Sequence, residues 1–195
     1  MARRNDHSAE ELTELVIDAA RHLVDELGPG GVTARKLADR VGYTPGTLYQ
    51  HFANLADIFL HVNAVNLQQL ETQLAGAAAS AEAPVQAILE MGYSYINYAE
   101  SHPNRFALMF TSHLPHGEEA PAHLQARVDA LFDLVTTQMR EIWPDEDGET
   151  LALRARALWS GVHGVASLSI RDQLFTRTWQ ADRKMLRELV NRFLR

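Results

Sequence analysis

With 195 residues, 46% of them apolar and 22% charged, the chain holds the material for one large domain or two small ones, and intrinsic disorder and collagen-like repeats are excluded. Eighteen Lys and Arg face 25 Asp and Glu, a formal net charge of -7, and the absence of Cys excludes a disulfide framework, a thiolate zinc site and a Cys nucleophile. Arg3 and Arg4 are followed by charged residues, so the start does not read as a signal peptide, and no apolar run approaches the roughly 18 residues of a membrane helix. A cytoplasmic protein is expected. The charge is uneven: residues 1–52 carry six basic and eight acidic side chains, residues 53–170 five and 14, and residues 171–195 seven and three. Local patches therefore matter more than the total.

In chain order, every periodic segment has a helical period. Leu12, Leu15, Val16, Ala19, Ala20, Leu23, Val24 and Leu27 form an amphipathic stripe, opened by Ser8 and Glu11 as a capping box and ended at Gly28. Thr33 caps a short helix with Leu37, Ala38 and Val41, and Gly42 interrupts it. Thr44 followed by Pro45 opens a third helix with Leu48 and Phe52 inward. Asn54 and Asp57 start a longer helix running to about Gly76, and the Ala/Ser/Gly stretch to Ala83 is a linker. Pro84 starts a helix that His102 and Pro103 stop, and a short one follows from Asn104 to about Phe110. A Pro/Gly loop leads to a helix from Leu124 to Trp143. Helices at about 149–173 and 179–194 close the chain. No alternating strand-like segment occurs, and the chain is predicted to be all-α.

Residues 33–52, TARKLADRVGYTPGTLYQHF, have the spacing of a helix-turn-helix. Leu37, Ala38, Val41, Leu48 and Phe52 would pack inward. Thr44, Gly46, Thr47, Tyr49, Gln50 and His51 would face outward with groups suited to hydrogen bonding in a DNA groove. Arg35, Lys36 and Arg40 oppose only Asp39, so phosphate attraction is local to the motif, and Arg3 and Arg4 form a basic arm.

The segment from Leu15 through Phe59 resembles the DNA-binding domain of TetR-family transcriptional regulators, on Thr33, Arg35, Leu37, Ala38, Val41, Gly42, the string Gly46-Thr47-Leu48-Tyr49, and Phe52. The resemblance implies an N-terminal three-helix domain, here 1–54, and a larger helical effector-binding and dimerisation domain, here 55–195. It also implies a homodimer on a pseudo-palindromic double-stranded operator. Carried over, Arg35, Thr44, Pro45, Gly46, Thr47, Tyr49 and His51 are the expected DNA contacts. The sequence departs from the family where many members place a phosphate-holding Lys at the start of the fourth helix: Leu55 stands there, and Arg40 or the N-terminal arm is expected to compensate.

From Ala157 to Ile170 the strongly polar side chain is His163, with Ala157, Ser160, Gly161, Gly164, Ala166 and Ser167 interleaved. A helix apolar on nearly all faces must be covered on two sides, one by the body and one by a symmetry mate. Trp159-Ser160-Gly161-Val162-His163-Gly164 resembles the Trp-His-Gly type of C-terminal domain found in some members of that family. His163 reads either as a core histidine or as a polar contact inside an apolar effector pocket, with Met91, Tyr95, Phe106 and Phe110 as the other pocket candidates. The last helix carries Trp179, Leu186, Leu189, Val190 and Phe193 on one face and a mainly basic opposite face, expected to pack at the dimer interface instead of on a membrane. His113, His116 and His123, with Glu118 and Glu119, lie at irregular spacing in a Pro/Gly loop and are read as solvated, not as a metal site. No catalytic constellation and no cofactor motif emerges; Ser160 lacks the first Gly of a nucleophile elbow.

The expected function is that of a repressor released from its operator by a small, mainly apolar ligand. Alternatives are a helical protein-interaction module or an activator without a small-molecule ligand.

Overall fold

The computed structural model describes residues 7–111, 120–175 and 180–195. Among these every long element is a helix: α1 (Ala9–Leu27), a 3-10 turn (Pro29–Gly31), α2 (Ala34–Val41), α3 (Pro45–Leu48), α4 (Leu55–Ala79), α5 (Pro84–Ser101), α6 (Pro103–Phe110), α7 (Ala122–Ile142), α8 (Gly148–Ser169) and α9 (Ala181–Phe193). The all-α class predicted from the periodicity is the fold observed.

The helix starts are written in short polar side chains. Ser8 and Glu11 close a reciprocal capping box on α1, at 3.2 and 2.7 Å. Thr33 accepts the Lys36 amide and Thr44 the Thr47 amide. At the head of α4, Asn54 Oδ1 accepts the Asp57 amide while the Asp57 carboxylate accepts the Ala53 amide, at 3.0 and 2.9 Å. Asp147 caps α8 through the Thr150 amide, and its hydrogen bonds to Thr150 hold its carboxyl below the ordinary range.

Three boundaries differ from the sequence expectation. α3 is a single four-residue turn of α-helix that continues as turns to Phe52. α4 passes Gly76 and runs to Ala79, because the following alanines, the best helix formers, outweigh one glycine. α8 ends at Ser169 instead of near 173, where the chain turns with Asp172 and Phe175 in the left-handed region. Trp179, expected in the last helix, lies outside the described residues.

The chain forms two compact units. The first gathers Met1–Asn66 with Asn104–Leu124, and the second gathers Leu67–Pro103 with Gln125–Arg195. The expected boundary after residue 54 coincides with the start of α4, yet the first core extends further. Ile58, Phe59 and Val62 of α4 and Leu108 of α6 are buried with Val16, Val24, Leu37, Leu48 and Phe52. Within this unit α6 is tied to the end of α1, since Arg105 forms a two-pronged ion pair with Asp25 and Asn104 Nδ2 donates to the Asp25 carbonyl at 2.9 Å.

In the second unit α9 packs against both α5 and α8 at close range. A Cβ on Gly92 would stand 2.9 Å from Leu186, and one on Gly161 would stand 2.7 Å from Leu189. The basic face of α9 finds partners on α5: Arg183 donates to Asn97 at 2.7 Å and reaches Glu100, and Arg187 donates to the Tyr93 hydroxyl. No described helix is long and apolar enough to cross a membrane.

Candidate functional site

The helix-turn-helix is built on a complete inner face. Leu37, Ala38 and Leu48 are fully buried and Phe52 nearly so. Gly42 ends α2 at φ 77°, a conformation that costs a residue with a Cβ free energy, and the Tyr43 amide closes back on the Ala38 carbonyl. The reversal sets α3 against α2 and turns its other side out. Thr44, Pro45, Gly46, Tyr49, Gln50 and His51 are all exposed, and Thr47 is half-buried.

Thr44 and Thr47 also have a local task. Thr44 is the N-cap of α3, and the two hydroxyl oxygens lie 3.0 Å apart. Each hydroxyl retains capacity for a further hydrogen bond. The basic side chains of the motif are not equivalent. Lys36 Nζ donates to the Gly31 carbonyl at 2.8 Å, and Arg40 holds Glu26 with both terminal nitrogens, at 3.0 and 2.7 Å. Arg35 alone among them has no partner in the described residues, and it is exposed. Arg40, expected to replace the missing phosphate clamp, is thus already engaged, while Leu55 packs against the first core. Arg3 and Arg4 lie outside the described residues.

The second unit contains a cavity of about 50 Å³ lined by Leu74, Ile88, Met91, Gly92, Tyr95, Val135, Ala155, Leu158, Trp159 and Val162. Its wall carries no charged side chain. Of the pocket candidates, Met91 and Tyr95 line it and His163 touches it through Tyr95. Phe106 and Phe110 do not join them: both belong to the first unit, with ring centroids 5.0 Å apart, Phe106 buried and Phe110 exposed.

From the cavity wall a chain of polar side chains leads away through Tyr95. Tyr95 Oη and His163 Nδ1 are 2.9 Å apart, and His163 Nε2 and Ser167 Oγ are 3.1 Å apart. The Trp159 indole N–H bonds the Tyr95 oxygen, and the Trp159 ring stacks on His163 at 5.2 Å and 25°. With Trp159 donating to Tyr95, the tautomer we assign has the Tyr95 hydroxyl donating to Nδ1 and the Nε2–H donating to Ser167, which pairs every donor of the chain. Burial pushes the Tyr95 hydroxyl well above its ordinary value. The sequence reading missed Trp159 and Ser167 as partners. Their signal was the spacing: each lies four residues from His163, on the same helix face.

Burial first, and the Arg171 charge second, hold the His163 imidazole below its ordinary pKa. The unfolded chain therefore binds this proton more readily than the folded one. The contribution is neutral above the unfolded value of about 6.5 and becomes a loss of stability as pH falls below it. A melting scan from about pH 7 to about pH 5 should show a steeper decline for the wild type than for His163→Gln.

On α8, Leu153, Ala157, Ser160, Gly164 and Leu168 recur at helical spacing on one face and none is buried; Leu153 is 70% exposed. Nothing lies within 4 Å of a Cβ built on Gly164. His113, His116, Glu118 and Glu119 lie outside the described residues. His123 stacks on His61 at 5.1 Å, and no group of three metal-ligating side chains occurs among the described residues.

Comparison with known proteins matches both units. Residues 16–62 fit the model of the bacterial regulatory proteins of the tetR family, and residues 88–193 fit that of the tetracyclin repressor-like C-terminal domain. An uncharacterised helix-turn-helix transcriptional regulator of Mycobacterium tuberculosis is 26% identical over 157 residues, 80% of this chain and 69% of its own length. A protein of unknown function from Rhodococcus sp. RHA1 has the same fold, with a TM-score of 0.77 at 17% identity over 100% of this chain and 97% of its own. FadR of Bacillus subtilis, solved with stearoyl-CoA, superposes with a TM-score of 0.70 at 13% identity over 93% of this chain and 97% of its own. With one model spanning the helix-turn-helix and a second spanning more than half of the chain, the protein belongs to the TetR family, whose members are DNA-binding transcriptional regulators and not enzymes.

Proposed function

We propose that the protein is a cytoplasmic homodimeric repressor that leaves a pseudo-palindromic operator when a small, mainly apolar ligand enters the cavity of its second unit. The observation that carries DNA reading is the division of the motif into a fully buried inner face and an outer face of Arg35, Thr44, Tyr49, Gln50 and His51. In this reading Arg35 meets phosphate, while Thr44, Pro45, Gly46, Thr47, Tyr49 and His51 face the groove. The unpartnered face of α8, beside α9, supplies the contact between two copies. Two recognition helices then sit roughly 34 to 36 Å apart, one turn of DNA.

Ligand control requires different affinity for two conformers, and a coupling of about 1 to 3 kcal/mol is ordinary. The apolar cavity supports a ligand of matching character. The chain offers a covalent route for the signal: α5, which lines the cavity, continues through His102 into α6, which Arg105 and Asn104 hold to α1. Arg105→Ala should blunt ligand-induced release more than it changes operator affinity in the absence of ligand.

Selection of bound fragments from the source genome, followed by binding assays, tests the DNA-reading assignment. Arg35→Ala and Thr47→Ala should each weaken operator binding by about tenfold, one charge-assisted or base contact, with the helical circular dichroism spectrum retained. Arg35→Ala should weaken all sequences alike and Thr47→Ala the selected one preferentially. Unchanged affinity in both variants would remove the motif from the interface.

A further inference from the structure

We infer that the effector is an uncharged molecule: an alkyl chain carrying a single neutral oxygen, carbonyl or hydroxyl, and no carboxylate, phosphate or ammonium in the cavity. The inference rests on the ligand-binding reading above and specifies its chemistry. The cavity wall is aliphatic apart from Tyr95, Trp159 and the thioether of Met91. A charge placed there would lose its hydration with no counter-ion in the wall, at a cost that small-molecule binding does not recover. Arg171, whose charge reaches His163, is exposed and does not line the cavity.

The polar atoms that do reach the wall suit one neutral oxygen. In the tautomer assigned above, Trp159 donates to Tyr95, Tyr95 donates to His163 and His163 donates to Ser167. A ligand carbonyl accepts the Trp159 N–H in exchange for the Tyr95 oxygen, and Tyr95 keeps its bond to His163. A ligand hydroxyl can in addition donate to the Tyr95 oxygen that the indole vacates. Either exchange leaves no buried donor unpaired, whereas a second polar group on the ligand would meet only hydrocarbon.

Shape narrows the class further. About 50 Å³ of free space takes the end of a chain; it is about a third of the volume of an engineered cavity of about 150 Å³ that binds benzene. The least buried helix of the wall is α7, which contributes Val135 and has only Met139 buried among its residues.

The test holds the chain constant and varies the head group. Nonane, 2-nonanone, 1-nonanol, nonanoate and protonated nonylamine are added to the purified full chain, and melting temperature and tryptophan emission are recorded. The ketone and the alcohol should raise the melting temperature and alter the emission at concentrations where nonanoate and nonylamine do neither. Trp159→Phe should weaken the ketone by up to about tenfold, one neutral hydrogen bond, relative to nonane measured on the same variant, whereas Tyr95→Phe should weaken the alcohol, which loses its acceptor, and leave the ketone bound at least as tightly. Nonane thus controls for any general loosening of the cavity. Binding of nonanoate or nonylamine as tight as that of the ketone would overturn the inference and leave the ligand site standing. A set in which no compound binds would overturn both.

Discussion

The Gly164→Arg variant should be a folded monomer with operator affinity reduced by about 100-fold or more. Two opposing local effects make this a clean experiment. Within one chain the position is open, with nothing within 4 Å of a Cβ placed there, and a non-glycine residue in the middle of α8 gains about 1 kcal/mol of helix propensity. The folded chain should therefore tolerate the change. In the proposed dimer the same side chain enters a face of Leu153, Ala157, Ser160 and Leu168, where a second helix approaches closely and a guanidinium finds no partner. Loss of the dimer separates the two recognition helices, and with them the avidity of two half-sites. Sedimentation and circular dichroism check both halves: a helical dimer would contradict the assignment of this face. Gly161, three residues earlier, should behave differently, because a Cβ there collides with Leu189 inside the chain itself.

Leu48→Ala should cost the first unit about 2 to 5 kcal/mol and abolish DNA binding, although Leu48 faces away from any DNA. The side chain is 0% exposed and anchors a helix of only four residues, which has little stability of its own. Its neighbours Leu37, Ala38 and Phe52 are equally committed to the core, so a methyl remnant leaves a void that only distortion of α3 can fill. Chemical denaturation should show a lowered midpoint for the variant. Wild-type stability would contradict the role of Leu48 as the inner anchor of the motif.

Why some of this was legible in the sequence and some was not follows from the range of the interactions. Ser8 with Glu11, Thr33, and Thr44 with Pro45 act within one helical turn, so they can be read from neighbouring letters, and their caps stand where expected. The inward residues Leu37, Leu48 and Phe52 follow from periodicity in the same way. Long-range pairing leaves no local trace. Arg40 is paired with Glu26, 14 residues away, a partner that a charge count within the motif does not reveal. Phe106 and Phe110 look like pocket aromatics in a helix that follows α5, yet α6 belongs to the first unit, where Leu108 joins its core and Arg105 meets Asp25, 80 residues away. The Tyr95–His163 bond spans 68 residues and was likewise invisible, whereas Trp159 and Ser167 lay within reach of a helical-spacing argument.

In the proposed function the outer face of the helix-turn-helix reads a specific operator through bases and phosphates. The most direct measurement is the affinity of the full chain for a genome-selected fragment and for a scrambled fragment of equal length, titrated across salt. Binding should be tight to the selected fragment and weak to the scrambled one. The affinity should fall by about tenfold or more between roughly 50 and 200 mM salt, with a shallower salt dependence for Arg35→Ala. Equal affinity for both fragments, or binding indifferent to salt, would contradict this reading.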